Sequence, residues 1–221
     1  VRVETTDLLI RAERDLSAAA LAKVVATRTL LTDHIAAHPE FATALRPLDL
    51  PTGEINPLVT SMYRAAQLAH VGPMAAVAGT VAQAVGVALL PHTHRVMVEN
   101  GGDLFIDADR EVTIAIYAGR SKLNGKIALR LDADELPLAV CTSSGLVGPS
   151  LSYGQAQAAT VIAADAALAD AVATALGNRV SSSEDIKPAL EWAVSLEGVT
   201  GALAIVQDNL GIMGDVKLVR L

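Results

Sequence analysis

Cysteine is nearly missing from this chain. Cys141 is the only one in 221 residues, so no disulfide forms within the chain and no thiolate-rich metal or iron–sulfur site is expected. Aromatic residues are scarce too, at 3%. A chain that is 52% hydrophobic must then build its core from Ala, Val and Leu, with backbones that approach closely. Positive charge is also short. With 17 Lys and Arg against 24 Asp and Glu, the net charge is −7, which argues against a nucleic-acid partner. An anion would have to be met by a metal or by backbone amides. No GxGxxG follows a strand, no GxxxxGK[ST] occurs and no GxSxG is present, so Rossmann, P-loop and serine-hydrolase sites lack support. The start shows no apolar signal segment. It begins at Val1 and continues with Arg2, Glu4 and Asp7, which makes a cytoplasmic protein the expectation.

One run lacks charge altogether. Val71 to Leu90 spans twenty residues without a formal charge, long enough to cross a bilayer. It is mostly Ala and Gly, carries Thr80 and Gln83, and has no basic flanks. A buried core helix is therefore expected, with no membrane partner.

The patterning divides into helices and strands. "VRVETTDLLIR" alternates as a strand, bent near Thr6-Asp7. Ser17 can cap a long helix to about Ala37, and "PEFATAL" reads as a short helical turn. Pro47 to Pro57 is a loop, Leu58 to His70 a helix, and Pro73 suits the first turn of another that ends near Leu90. Period-two patterning then marks strands at Arg95–Glu99, Asp103–Ile106, Val112–Tyr117, Lys126–Leu131 and Pro137–Thr142. "GLVGPSLSYGQ" is a loop and Ala158–Ala163 another strand. Asp165 caps a helix that stops at Gly177-Asn178. A helix near Glu184–Leu196 and strands at Ala202–Gln207 and Lys217–Leu221 complete a single α+β domain over residues 1–221, with helices on a mostly antiparallel sheet.

Four places could carry chemistry. In "VMVENGGDLFID", Asn100-Gly101 between alternating arms is a hairpin signal. Gly102 and Asp103 exceed what that turn needs, and a bare backbone there would admit a ligand. Asp170 and Thr174 are one helical turn apart, and two hard oxygens on one face make half of a magnesium or calcium site. Equally, Thr174 can bond back to the Asp170 carbonyl while Asp170 faces water. Thr142, Ser143 and Ser144 before Gly145 could cradle phosphate oxygens or form an ordinary polar strand end. Cys141 could be a nucleophile, but its apolar neighbours point it into the core. His34 and His38 share a helical face that could pair on a metal or simply face solvent, and His92 and His94, which would point the same way on a strand, read as a surface edge.

Together, "VGPMAAVAGTVAQAVG", "VENGGDLFI", "VCTSSGLVGPSLSYGQA" and "AALADAVATALGN" resemble an uncharacterised bacterial and archaeal protein family of the ApbE-like superfamily. The likeness extends to "VETTDLLIRA" and "PEFATALRPLDLP", and so to nearly the whole chain. ApbE proteins are magnesium-dependent flavin transferases that move FMN from FAD onto a protein threonine. The resemblance implies an ApbE-like, T-fold-related α+β domain with Mg2+ and FAD or a related nucleotide as cofactors. It implies metal ligation by Asp170 and Thr174, and by a backbone carbonyl at about Ala75. It also implies ligand binding at Asn100, Gly101, Gly102, Asp103, Thr142, Ser143 and Ser144. A small-molecule nucleotide or flavin is the partner so implied, and a homo-oligomer is left open. One departure stands out. ApbE carries a histidine after its TSG segment, whereas "LVGPSLSYGQAQ" has none and Pro149 stands in that region. Three functions stay open: an ApbE-like metal and nucleotide cleft of unproven activity, a role in sulfur assimilation or homocysteine formation without flavin transfer, and FMN transfer itself.

Overall fold

A computed structural model of the chain describes residues 1–145 and 154–221. Most of the loop expected at "GLVGPSLSYGQ", with Pro149, lies outside the described residues. The expected first strand is two strands, β1 (Arg2–Val3) and β2 (Thr6–Ala12), broken at Glu4, whose φ is 51°. Helices α1 (Ser17–Ala37), α2 (Glu40–Thr43) and α3 (Pro57–Ala69) follow, and a 3-10 turn at Pro73–Ala76 leads into α4 (Val77–Leu89). Next come β3 (Val96–Asn100), β4 (Asp103–Asp107), β5 (Val112–Ala115), β6 (Ile127–Leu131), β7 (Leu138–Ser143) and β8 (Ala158–Ala163). The chain continues through α5 (Ala166–Arg179), α6 (Ile186–Val194), β9 (Val199–Val206), β10 (Asn209–Gly214) and β11 (Leu218–Arg220).

Eight strands form one sheet in the order β1-β2-β3-β4-β7-β8-β9-β10, and β11-β6-β5 form a second. The pairings are antiparallel, as expected. Both faces of the large sheet are covered. On β7, Ala139 and Cys141 join the core under the helices, while Leu138 and Val140 join the core against the small sheet. This double burial explains why β7, β8 and β9 are apolar at nearly every position instead of alternating. The helix-facing set of these strands is mostly small, with Ala139, Ala159, Ala163, Ala202 and Ala204 beside Cys141, Val161 and Val206. Helix α5, itself Ala-rich and buried almost all round, can therefore lie close on the sheet. Few aromatics are needed because backbones fill the space.

The uncharged run is a core element. By length and composition Pro73–His92 could cross a membrane, but α4 packs on α1, α5, β3 and β4. A Cβ on Gly86 would lie 2.2 Å from the Phe105 ring, so the helix is fitted to this sheet.

Four expectations need correction. Ser17 is the first residue of α1 and not its cap; the Asp15 carboxylate accepts the Ser17 N–H at 2.9 Å. His34 and His38 are half-buried and do not form a simple solvent face: their ring centroids lie 4.7 Å apart with the rings tilted, and His34 Nε2 meets the Tyr63 hydroxyl at 3.1 Å. His92 ends a 3-10 turn and is not on a strand, although it and His94 are exposed as expected. Strand β10 was not expected, because Gly211 and Gly214 disguise it. Gly211 is needed where the strand meets α6, since a Cβ there would lie 2.2 Å from Ile186 Cγ2.

Candidate functional site

Asp170 is held where two helices meet. The Asp165 side chain caps α5 by accepting the Leu168 N–H at 3.0 Å, which is the capping expected from the sequence. One turn further on, Asp170 is 8% exposed, so it does not face water. Its Oδ2 accepts the Gly79 N–H at 2.9 Å, in the first turn of α4. A Cβ on Gly79 would sit 2.4 Å from the Ala166 carbonyl oxygen and 3.0 Å from Asp170 Cβ. Glycine is what lets the positive end of α4 reach the carboxylate.

The hairpin between β3 and β4 brings in a second carboxylate. Asn100 pairs with Asp103 across the hairpin, and the turn residues are Gly101 and Gly102, at φ 66° and 108°. Two positive φ values are what a tight two-residue hairpin demands. The turn therefore accounts for Gly102, and Asn100 is its closing residue. Asn100 Nδ2 donates to the Ala78 carbonyl at 3.1 Å, which ties the tip to the start of α4. The pleat turns Asp103 toward the helices with Phe105, where it is 8% exposed and accepts the Thr142 N–H at 3.2 Å.

Asp103, Asp170 and Thr174 line one cavity of about 310 Å³, together with Ala75, Met74 and Asn178. Burial pushes the Asp170 carboxyl well above its ordinary value, and the charge of Asp103 adds to this, against the Gly79 and Ala78 N–H groups. Burial likewise raises Asp103 to about 7, opposed by the Cys141 thiol and the Thr142 N–H and assisted by Glu99. Cys141 lies fully buried beside both acids, and burial and their charges raise its thiol well above normal. It is a core residue, not an exposed nucleophile. Among the described residues no Lys, Arg or His forms an ion pair with either aspartate. No cluster of three or more His, Cys, Asp or Glu suited to a metal occurs among them either. The donors available here are two carboxylates, a hydroxyl and backbone carbonyls. Such an all-oxygen set fits a hard divalent cation, whose charge would offset two buried acids that have no cationic partner among the described residues.

The residues expected to bind a cofactor are divided by the sheet. Gly101, Gly102, Thr142 and Ser144 line a different cavity of about 340 Å³. Thr142 Oγ1 lies 2.9 Å from Thr160 Oγ1. Ser143 points the other way, toward α5, with Oγ 3.5 Å from where a Cβ on Gly177 would be. Sequence reasoning expects Asp103 near Asp170 as a ligand-binding residue, and the structure puts both in one cavity, but it does not single out Asp103 as a second buried acid beside the metal ligands. The signal was parity, since Asp103 and Phe105 must share a face and Phe105 belongs in the core.

A family model described as "AbpE bacteria" matches residues 1–212. A UPF0280 protein of Methanothrix thermoacetophila is 42% identical over 198 residues, covering 89% of this chain and 83% of that one. Among solved structures, a His-to-Gly variant of the flavin transferase ApbE from Vibrio cholerae superposes with a TM-score of 0.58 at 12% identity, covering 95% of this chain and 93% of that one. The chain spans about half of another, the apo flavinyl transferase ApbE of Pseudomonas stutzeri, covering 66% of this chain and 51% of that one at 18% identity and a TM-score of 0.43.

Proposed function

This chain belongs to the family described as AbpE bacteria, and on that footing we propose that it is an ApbE-like protein whose Asp103–Asp170 cavity holds a divalent cation and the phosphates of a flavin or related nucleotide. The observation that carries the reading is the pair of buried, mutually repelling carboxylates facing a cavity with no cationic partner among the described residues. Asp170 and Thr174 are the side-chain ligands, Ala75 contributes a backbone carbonyl, and Mg2+ is the cation their oxygen chemistry suits. A cation in this place supplies charge neutralisation for phosphate oxygens that a chain of net charge −7 does not otherwise attract. The chain's own task is to fix the acid: the Gly79 N–H holds Asp170, and the Thr142 N–H holds Asp103. Calorimetric titration with FAD, FMN and ADP, with and without Mg2+, tests the reading. Magnesium-dependent binding of at least one, lost in Asp170→Ala, is expected. Binding that ignores both Mg2+ and Asp170 would overturn it.

A second reading has one specific support, the lack of a histidine from Gly145 to Gln157. Without a general base there, the scaffold and cation site would serve an accessory or enzymatic role in sulfur assimilation or homocysteine formation, without flavin transfer. Incubation with FAD, Mg2+ and threonine-bearing acceptor proteins separates the two, read by mass spectrometry. A covalent FMN adduct establishes transfer; its absence, with nucleotide binding intact, supports the second reading.

A further inference from the structure

Among the described residues the two sheets end in four outer strands, β1 and β10 in the large sheet and β11 and β5 in the small one. Three of these edges are guarded. β1 has two residues and β11 three, and each carries an arginine, Arg2 or Arg220. β5 has four residues and follows directly on Arg110 and Glu111. Short length and charge are how native sheets prevent a further strand from adding. β10 has neither guard: it runs six residues, Asn209–Gly214, with no charge and no proline. Its main-chain groups alternate in direction. The Asp215 N–H donates to the Thr200 carbonyl at 2.8 Å, so Asn209, Gly211 and Met213 face β9, while Leu210, Ile212 and Gly214 turn their N–H and C=O groups outward. Among the described residues no strand pairs with that outer side. The outward positions are apolar as well. Leu210 is 36% exposed and Ile212 45%, although their cross-strand partners Ile205 and Leu203 belong to the core against the small sheet.

We propose that β10 is a self-complementary interface, at which a second copy of this chain pairs antiparallel and continues the large sheet across a two-fold axis. Outward main-chain groups must meet outward groups, which limits the register to a few choices. The register centred on Gly211 sets Leu210 against Ile212 of the partner subunit. Each such pair exchanges two main-chain hydrogen bonds, and symmetry makes the pair twice. The Leu210 and Ile212 side chains of both copies then cover one another beside Leu203 and Ile205. Charge agrees with this register in a chain of net charge −7. Gly214 and Gln207 stand opposite Asp208 and Asp215, so no acid faces an acid, and Asp208 is already ion-paired with Lys122 at 3.0 Å. Centring on Leu210 would set Asp208 against Ile212, and centring on Ile212 would set Leu210 against Gly214. No residue of β10 lines the Asp103–Asp170 cavity, so this proposal and the cation reading fail separately.

Sedimentation velocity of the intact chain over a concentration series tests the association, and cross-linking tests the register. A monomer–dimer equilibrium is expected. Ile212→Lys puts a charge into both apolar contacts and should weaken the dimer by about tenfold or more. Ile212 is exposed, so the monomer keeps its fold. Cys141 is buried and does not compete with introduced thiols. Leu210→Cys and Ile212→Cys chains, mixed and oxidised, should form a disulfide, because directly paired Cα atoms lie about 5.5 Å apart. Either variant oxidised alone should not, because its two cysteines are diagonal neighbours about 7–8 Å apart. A chain that stays monomeric at every concentration would leave this edge to a strand of another protein and overturn the proposal. A dimer indifferent to Ile212→Lys, or cross-links that form only within one variant, would overturn it too.

Discussion

Replacing Asp103 with Asn removes one of two buried titratable carboxyls and alters little else. The side chain keeps its size, and its amide oxygen can still accept the Thr142 N–H that now donates to Oδ1. What changes is the response to pH. Burial raises Asp103 from 3.8 to about 7, so between those values the folded chain holds a proton that the unfolded chain has released. Stability from this group is therefore fully present below about pH 4 and is lost as pH rises through about 7. At roughly 1.4 kcal/mol for each tenfold change in proton affinity, the rise corresponds to about 4 kcal/mol. Asn is neutral at every pH and escapes that loss. It also relieves Asp170 of the like charge that helps to raise it. In EDTA, urea unfolding at about pH 5, 6, 7 and 8 should give a difference between Asp103→Asn and the parent that opens with pH. The variant should be more stable by up to about 4 kcal/mol at the alkaline end. Added Mg2+ should restore the parent at high pH and help the variant less, because binding to the folded state alone stabilises by mass action. Curves for variant and parent that stay parallel from about pH 5 to about pH 8 would refute the buried-carboxylate argument.

Other substitutions test the scaffold around the acids. Gly79→Ala puts a Cβ 2.4 Å from the Ala166 carbonyl oxygen, a backbone atom that cannot swing aside. Separating α4 from α5 should cost about 1–3 kcal/mol or more in urea unfolding, and Mg2+ affinity should fall with it. Asp165→Ala removes the cap of α5 but no group of the cavity, so stability should drop by about 1 kcal/mol while Mg2+ affinity holds in the same calorimetric assay.

Sequence patterning reaches the elements whose cause is local. The cap at Asp165, the Pro-led turn into α4 and the Asn-Gly hairpin between β3 and β4 depend on neighbours in the chain, and the structure has them where the residues point. Where the cause is tertiary, patterning fails. Strand β10 contains two glycines, which local propensity counts against a strand, yet Gly211 serves the contact with α6, and β10 exists because β9 offers an edge. His34 reads as a surface residue because its partner Tyr63 comes from another helix. The buried surroundings of Cys141 were legible because an apolar stretch covered on both faces leaves no exposed side.

The candidate site shows the same division more sharply. "NGGD" reads as one unit in sequence, yet side chains on a strand alternate in direction. One step along the backbone, from Gly102 to Asp103, moves from one cavity to the other. "CTSS" divides by the same rule, with Thr142 and Ser144 lining the cavity of Gly102 and Ser143 against α5. Adjacent residues therefore line different cavities, while residues distant in sequence line the same one. Asp103 and Asp170 meet because α5 lies close on β7 and β8 over small side chains such as Ala139 and Ala159, and because Gly79 lets α4 close over them. The abundance of Ala and Gly, which first reads as a thin hydrophobic vocabulary, is what permits two acids to be buried side by side. Bulkier residues along α5 or at position 79 would hold the elements apart and admit water, and the uncompensated charge on which the cation reading depends would be lost.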